Sequence, residues 1–234
     1  MGRIGWVCLV ASTLLLAGCV RISERGEDLS ENRMIDAGGA EFVQVRLEMG
    51  AGELRLEGGA AKLLDADFHY NFRDQKPVVR YNVAGSRGYL TIRQPPVTTL
   101  GANNNRYIWD LHMNDRMPLD LHVDMGAGQG TFNLAGTSVR RLEVNVGAGQ
   151  VDLNLNGPWE EDLDARVHGG VGEATVRLPR DVGVRVKASG GIGEIHVRGL
   201  QKYEGYYVND AFHTSGARIR LNVSGGIGQI NLIG

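Results

Sequence analysis

The chain has 234 residues, 34 of them glycine, with six prolines and 6% aromatics. A formal net charge of −2 offers no basic surface to a nucleic acid. A glycine-rich chain of this length reads as one β-rich domain or repeat array, long enough to bury a core without disulfides.

The N-terminus carries a targeting pattern. Arg3 precedes an apolar run from Trp6 to Leu16, which is short for a membrane span. The run ends in Leu16-Ala17-Gly18-Cys19. This resembles the lipobox of bacterial lipoproteins, and the resemblance implies a signal peptide over 1–18 and lipid on Cys19. The alternatives are an ordinary signal peptide or a buried helix holding a core cysteine. Cys8 lies in the expected leader, so the processed chain would hold no disulfide. Acyl chains bury methylenes at about 0.8 kcal/mol each, which makes membrane lipid the first expected partner. Residues 19–37 are polar and aperiodic and read as a tether. Val20 and Arg21 follow the cysteine, so no aspartate stands next to it. By resemblance to the Gram-negative sorting rule, this favours the outer membrane facing the periplasm.

Phe42 to Glu57 is a period-two run with Val43, Val45, Leu47, Met49 and Ala51 expected inward, then Leu54 and Leu56. Leu64–Phe72, Val78–Val83 and Tyr89–Gln94 read as strands, the last two joined as a hairpin through 84–88. Ile108–Met113 is a further strand. From Leu121 to Leu200 a unit recurs: strand, Gly-x-Gly corner, strand. Six corners begin at Gly50, Gly126, Gly147, Gly170, Gly191 and Gly226, and the four middle ones lie 21, 23 and 21 residues apart. The apolar alternation slips by one at each corner. Leu142, Val144, Val146 and Ala148 precede it, and Val151, Leu153 and Leu155 follow. Such a slip would invert the second strand unless glycine bends the backbone there. Two topologies satisfy this pattern. Stacked rungs of a β-solenoid fit the near-constant period best, and a meander of hairpins remains open. Gln201–Gly216 breaks the period as a loop, and Arg218–Gly234 is expected to be the closing rung.

The segments GAGELRLEGGAAKLL, DFHYNF, RYIWDLHMNDRMPLDLHVDMGAG and the repeated GGIGEI corners resemble the toast-rack and LiaF-like C-terminal domains of bacterial envelope proteins. The resemblance spans roughly residues 38–234. It implies an all-β fold of the β-solenoid, parallel β-helix-like kind, at the cell envelope and related to adhesin-type domains. An antiparallel N-terminal β portion would occupy 38–118 and the repeat solenoid 119–234. Some relatives carry a transmembrane bundle and restrain a stress-sensing kinase; here a lipid anchor stands in its place.

Candidate sites are sparse. The glycine corners run into strands, not into helix N-termini, and no Walker lysine follows, which excludes a phosphate loop. Glu53, Gln129, Gln150, Glu173, Glu194 and Gln229 follow the corners and would form one column. Calcium wants six to eight oxygens, and half of this column is amide, so an amide ladder with solvated acids is the favoured reading. Glu173 and Glu194 would be its only adjacent acids. His112, His122, His168 and His196 lack zinc spacing. Glu160, Glu161, Asp162 and Asp164 read as a solvated acidic turn, and no nucleophile elbow occurs. Trp109 and Trp159 read as packing residues. Tyr203, Tyr206, Tyr207 and Phe212 form the one aromatic surface loop. They either recognise a partner or cover the end of the solenoid.

These residues point to a non-enzymatic, lipid-anchored envelope module of interaction or adhesin-like type. It would need no cofactor, and its partner would be an envelope protein or cell-wall glycan. The alternatives are a LiaF-like regulator of an envelope-stress sensor and, last, a carbohydrate-active β-helix enzyme.

Overall fold

The computed structural model describes residues 28–96, 106–216 and 218–234, so the leader and Cys19 lie outside the described residues. In chain order the strands are β1 (Leu29–Ile35), β2 (Phe42–Glu57), β3 (Leu64–Tyr70), β4 (Val78–Ala84), β5 (Arg87–Arg93), β6 (Tyr107–Met113) and β7 (Leu119–Asn133). They continue as β8 (Val139–Asn154), β9 (Leu163–Arg177), β10 (Val184–Arg198), β11 (Gln201–Tyr203), β12 (Tyr206–Val208) and β13 (Ile219–Ile233). A single short helix, α1, spans Phe212–Ser215.

Six strands of 15 or 16 residues contain the glycine corners, and each is bent there into two arms. They stack in parallel and in register in the order β2-β7-β8-β9-β13-β10. The apices align as Ala51, Ala127, Ala148, Val171, Ile227 and Ile192. Parallel, registered rungs establish the solenoid and exclude the meander. The inner faces of both arms close on one core. In β8 these are Leu142, Val144 and Val146 before the bend, then Val151 and Leu153 after it, all buried. Beyond the second arm the ladder continues, as Leu134 N–H bonds Asn154 C=O and Leu155 N–H bonds Arg177 C=O.

The second glycine of each corner makes the stack possible. Its φ lies between 130° at Gly128 and 149° at Gly52, a region that side chains avoid. A Cβ on Gly149 would also fall within van der Waals contact of the Gly128 carbonyl oxygen, and one on Gly228 would strike that of Gly172. The middle residue of the corner was expected to face inward. It stands instead at the convex apex and is exposed in every rung. In β8 the last inward residue before the bend is therefore Val146, two residues earlier than the sequence phasing implies.

Three further expectations change. Leu29–Ile35, expected to belong to a tether, is instead a strand that pairs antiparallel with β3. Arg218–Gly234 does not close the stack: β13 inserts between β9 and β10, so β10 is the terminal rung. Residues 201–216 are a small hairpin, β11–β12, followed by α1, and β12 pairs with Arg185 and Val186 of β10. The three N-terminal strands and the 84–88 hairpin form as expected, with β4 antiparallel to β5 and β3 to β6.

The two ends of the stack are finished differently. At the first rung, β5 pairs with the first arm of β2 and β6 with the second. The corner left between them is closed by Gln94, whose Oε1 accepts from Gly50 N–H at 2.7 Å and Ala51 N–H at 3.0 Å. Trp109 lies fully buried beneath β2 and meets Phe68 edge-on, with ring centroids 5.9 Å apart. Trp159 is buried too, its Nε1–H donating to Leu155 C=O at 2.8 Å.

Along the stack, the inward residue before the corner runs Met49, Met125, Val146, Gly169, Gly225, Gly190. The second half thus lacks side chains under its corners, and an apolar cavity of about 30 Å³ lies there between Val146, Val167, Ala174, Ile195 and Ile230. A Cβ on Gly225 would meet only Ile230 Cδ1, at an ordinary 3.6 Å. Gly225→Ala is therefore expected to be neutral or to stabilise by about 0.5–1 kcal/mol. Gly228→Ala, three residues on, should prevent folding or lower Tm severely. Thermal melts of the two variants check this, and equal effects would overturn the close-approach account. Val144→Asp should likewise unfold the domain by burying an unpaired charge. Asn145→Asp should cost less, though it is not silent, because Asn145 Nδ2–H donates to Asp124 at 3.0 Å.

Candidate interaction surface

The outer faces of the rungs are ladders of compensated charge. Asp124 accepts from His122 Nε2 at 2.7 Å and from Asn145, with Arg46 at 3.8 Å. Partial burial pushes the Asp124 carboxyl up, but those hydrogen bonds outweigh it and hold its pKa below the ordinary value. His122 also faces Glu143 at 3.4 Å. Arg177 pairs with Asp152 and Arg141 with Asp120. Two of the four acids of the WEEDLD turn are engaged in the same way. Arg220 holds Asp164 at 2.7 Å and Asp162 at 3.2 Å, and Arg218 lies 3.7 Å from Asp162. These arginines pair Asp162 and Asp164, while Glu160 and Glu161 stand exposed to solvent. Among the described residues no group of three or more His, Cys, Asp and Glu side chains is placed to hold a metal ion.

The column after the corners forms as expected, with one correction. Because β13 inserts, Gln229 stands between Glu173 and Glu194, and no two acids of the column are adjacent. A single amide pair forms in another column of the second arm, where Asn154 Nδ2–H donates to Asn133 Oδ1 at 3.0 Å. Asn231 bridges Glu173 at 2.6 Å and accepts from Gln229 at 2.8 Å.

The β10 end is different. Val171, Ile227 and Ile192 are adjacent apices, exposed by 52%, 51% and 73%. They make an apolar ridge where the first three rungs show only alanine. Beside it the aromatic loop covers the first arm of β10. Tyr206 lies under Arg185, whose guanidinium carbon is 4.7 Å from the ring centroid, and Tyr207 packs partly against the core. Tyr203, Phe212 and His213 form an exposed ring cluster, with Tyr203 5.3 Å from His213 and 6.1 Å from Phe212. The loop is held from beneath by buried Asn209. Its Nδ2–H donates to Pro179 C=O at 2.9 Å and Val182 C=O at 2.7 Å, and its Oδ1 accepts from Val184 N–H. The four aromatics named from sequence therefore sit together at one end of the stack, covering part of it and exposing the rest. The ridge was missed, although its signal was in the chain: GAG becomes GVG and GIG in the later corners.

The family profile for the N-terminal domain of toast_rack, DUF2154, matches residues 24–177. The chain belongs to the toast-rack family. The crystal structure of a candidate cell-adhesion protein from Clostridium sporogenes is 31% identical, covers 88% of this toast-rack chain and 99% of its own, and has a TM-score of 0.84. A candidate adhesin from Bacteroides fragilis covers 88% and 97% at 8% identity, with a TM-score of 0.38, too low to carry any argument. A search of curated proteins found no match.

The ion pairs give a pH signature. The Arg220 hydrogen bond holds the Asp164 carboxyl below its ordinary value of about 3.9. A depressed folded pKa contributes stability above the unfolded value, and that contribution is lost as pH falls through the folded one. The Tm gap between the native chain and Arg220→Gln should therefore narrow below about pH 4. A gap that stays constant from neutral to acid pH would overturn the assignment.

Proposed function

We propose that the chain is a non-enzymatic, adhesin-like interaction module of the cell envelope, anchored by lipid on Cys19 and presenting the β10 end of its solenoid. One observation carries this reading: the chain enters the stack at the end opposite its apolar ridge. The order runs β1-β3-β6-β2 through the rungs to β10. At a strand spacing of about 4.8 Å, the ridge end stands about 40 Å from β1. An anchor on the N-terminal side would thus leave the apolar ridge and the Tyr203 cluster facing away from the lipid. Rigid, registered rungs suit this role, since they hold a binding end at a fixed height. The fold of the Clostridium sporogenes cell-adhesion candidate supports the same reading.

Two experiments test it. Cys19→Ala should move the protein from the membrane fraction to the soluble fraction, and continued sedimentation with membranes would overturn the anchor. Beads coated with the full chain through its N-terminal end should adhere to native envelope preparations. The double variant Ile192→Asp/Ile227→Asp, which changes only exposed apices, should reduce adhesion about tenfold at an unchanged Tm. Undiminished adhesion would overturn the presented-end assignment. Cross-linking on native membranes would then separate a sensor protein from cell-wall glycan as the captured material.

A further inference from the structure

We propose that the second arm of β10, Glu194–Arg198, is a self-association edge on which a second copy of this chain pairs antiparallel, about a two-fold axis through His196. This deepens, and rests on, the reading of the β10 end as the presented surface.

The edge is open. Among the described residues β10 pairs along its length with β13 on one side, while on the other β12 reaches only Arg185 and Val186. The opposite end of the stack is covered by β5, β6 and Gln94. Sheet edges are usually blocked by proline, by charged side chains or by bulges. Glu194–Arg198 has no proline and no bulge, and its two charged ends, Glu194 and Arg198, are of opposite sign. The direction of its backbone groups follows from one bond. Gly234 N–H donates to Arg198 C=O at 2.9 Å, so Arg198, and with it His196 and Glu194, turn toward β13. Ile195 and Val197 therefore turn their N–H and C=O groups to the open side. Their side chains tell the same story. Ile195 and Val197 are only partly buried, whereas Ile230 and Leu232, their neighbours in β13, are 4% and 0% exposed. A further strand would complete the burial.

The edge is complementary to itself. A two-fold through His196 sets Ile195 opposite Val197 of the second copy, and Val197 opposite its Ile195. These are the residues with outward backbone groups, so the hydrogen bonds are made reciprocally. The same axis sets Glu194 opposite Arg198 in both directions, a cross-strand pairing of opposite charge. Moving the axis to Ile195 would place Arg198 against Ile192. Moving it to Val197 would place His196 against Arg198 and Glu194 against Leu200. Only the His196 register joins both charges and both apolar residues. An axis perpendicular to the arm keeps the Ile195 and Val197 faces of both copies on one side, so the two cores become continuous.

The test is a charge swap on the full chain carrying Cys19→Ser, followed by sedimentation up to about 1 mM, the effective concentration of tethered modules. The native sequence should dimerise. Glu194→Arg and Arg198→Glu should each weaken the dimer about tenfold or more, and the double swap should restore it. In a background of Cys8→Ser and Cys19→Ser, His196→Cys should oxidise to a disulfide-linked dimer. Residues opposed at such a position lie about 4.5 Å apart between Cα atoms, within disulfide reach. Asn222→Cys, exposed on the first arm of β13, should stay monomeric. A monomer throughout the concentration range, or a double swap that does not restore pairing, overturns the inference. Bead adhesion to envelope that persists in such a monomer would leave the adhesive reading standing, and its loss in the apex variants alone would do the same.

Discussion

The structure depends on a steric identity between neighbouring rungs. At each corner the carbonyl oxygen of one glycine occupies the space where a Cβ of the next rung's glycine would lie. That contact lets six bent strands stack at ordinary sheet spacing without splaying at the bend. The registry of everything else follows, because aligned corners force the arms into alignment. Inward positions then meet inward positions, and the outward columns become ladders of like or opposite groups. A side chain at one such glycine would disturb not one rung but the spacing of two.

Within that constraint the chain solves the filling of the corner in two ways. The first three rungs place Met49, Met125 and Val146 under the bend and alanine at the apex. The last three place Gly169, Gly225 and Gly190 under it and Val171, Ile227 and Ile192 at the apex. Volume is in effect moved from inside the corner to outside it. Buried core is lost where surface stickiness is gained, at the end away from β1. The N-terminal end has the opposite character, with Gln94 sealing the corner and Trp109 sealing the core.

Much of this was legible in the residues. The fixed period, the phase slip and the glycine pairs specify bent strands with one buried face, and near-constant spacing favours their stacking. The strands of the antiparallel portion were legible for the usual reasons of alternation and turn chemistry. What the chain did not disclose was order in space. Nothing local in Arg218–Gly234 separates a strand that ends the stack from one that enters it, since its corner is nearly identical to that of β10. The direction of the apex residue was hidden for a similar reason. Alternation continues formally through Ala148, and only the actual backbone at Gly149 shows where it stops. The aromatic loop was recognisable by composition, whereas its anchor, Asn209, looks like any polar loop residue until its buried partners are seen. The pairing of Asp162 and Asp164 with Arg220 likewise joins residues more than fifty positions apart, which no motif announces.

The position of β13 also imposes a timetable on the chain. A chain is synthesised from its N-terminus, so β9 and β10 exist before the strand that separates them. Both carry the same glycine-rich bend followed by glutamate. β13, made after both, must therefore enter between them. The native strand order therefore needs the fifteen residues of β13 between two strands that precede it in the chain. The hairpin and α1 that precede it give the chain its reach. Asn209 fixes that detour against 179–184, so the path between β10 and β13 is itself tied to the stack.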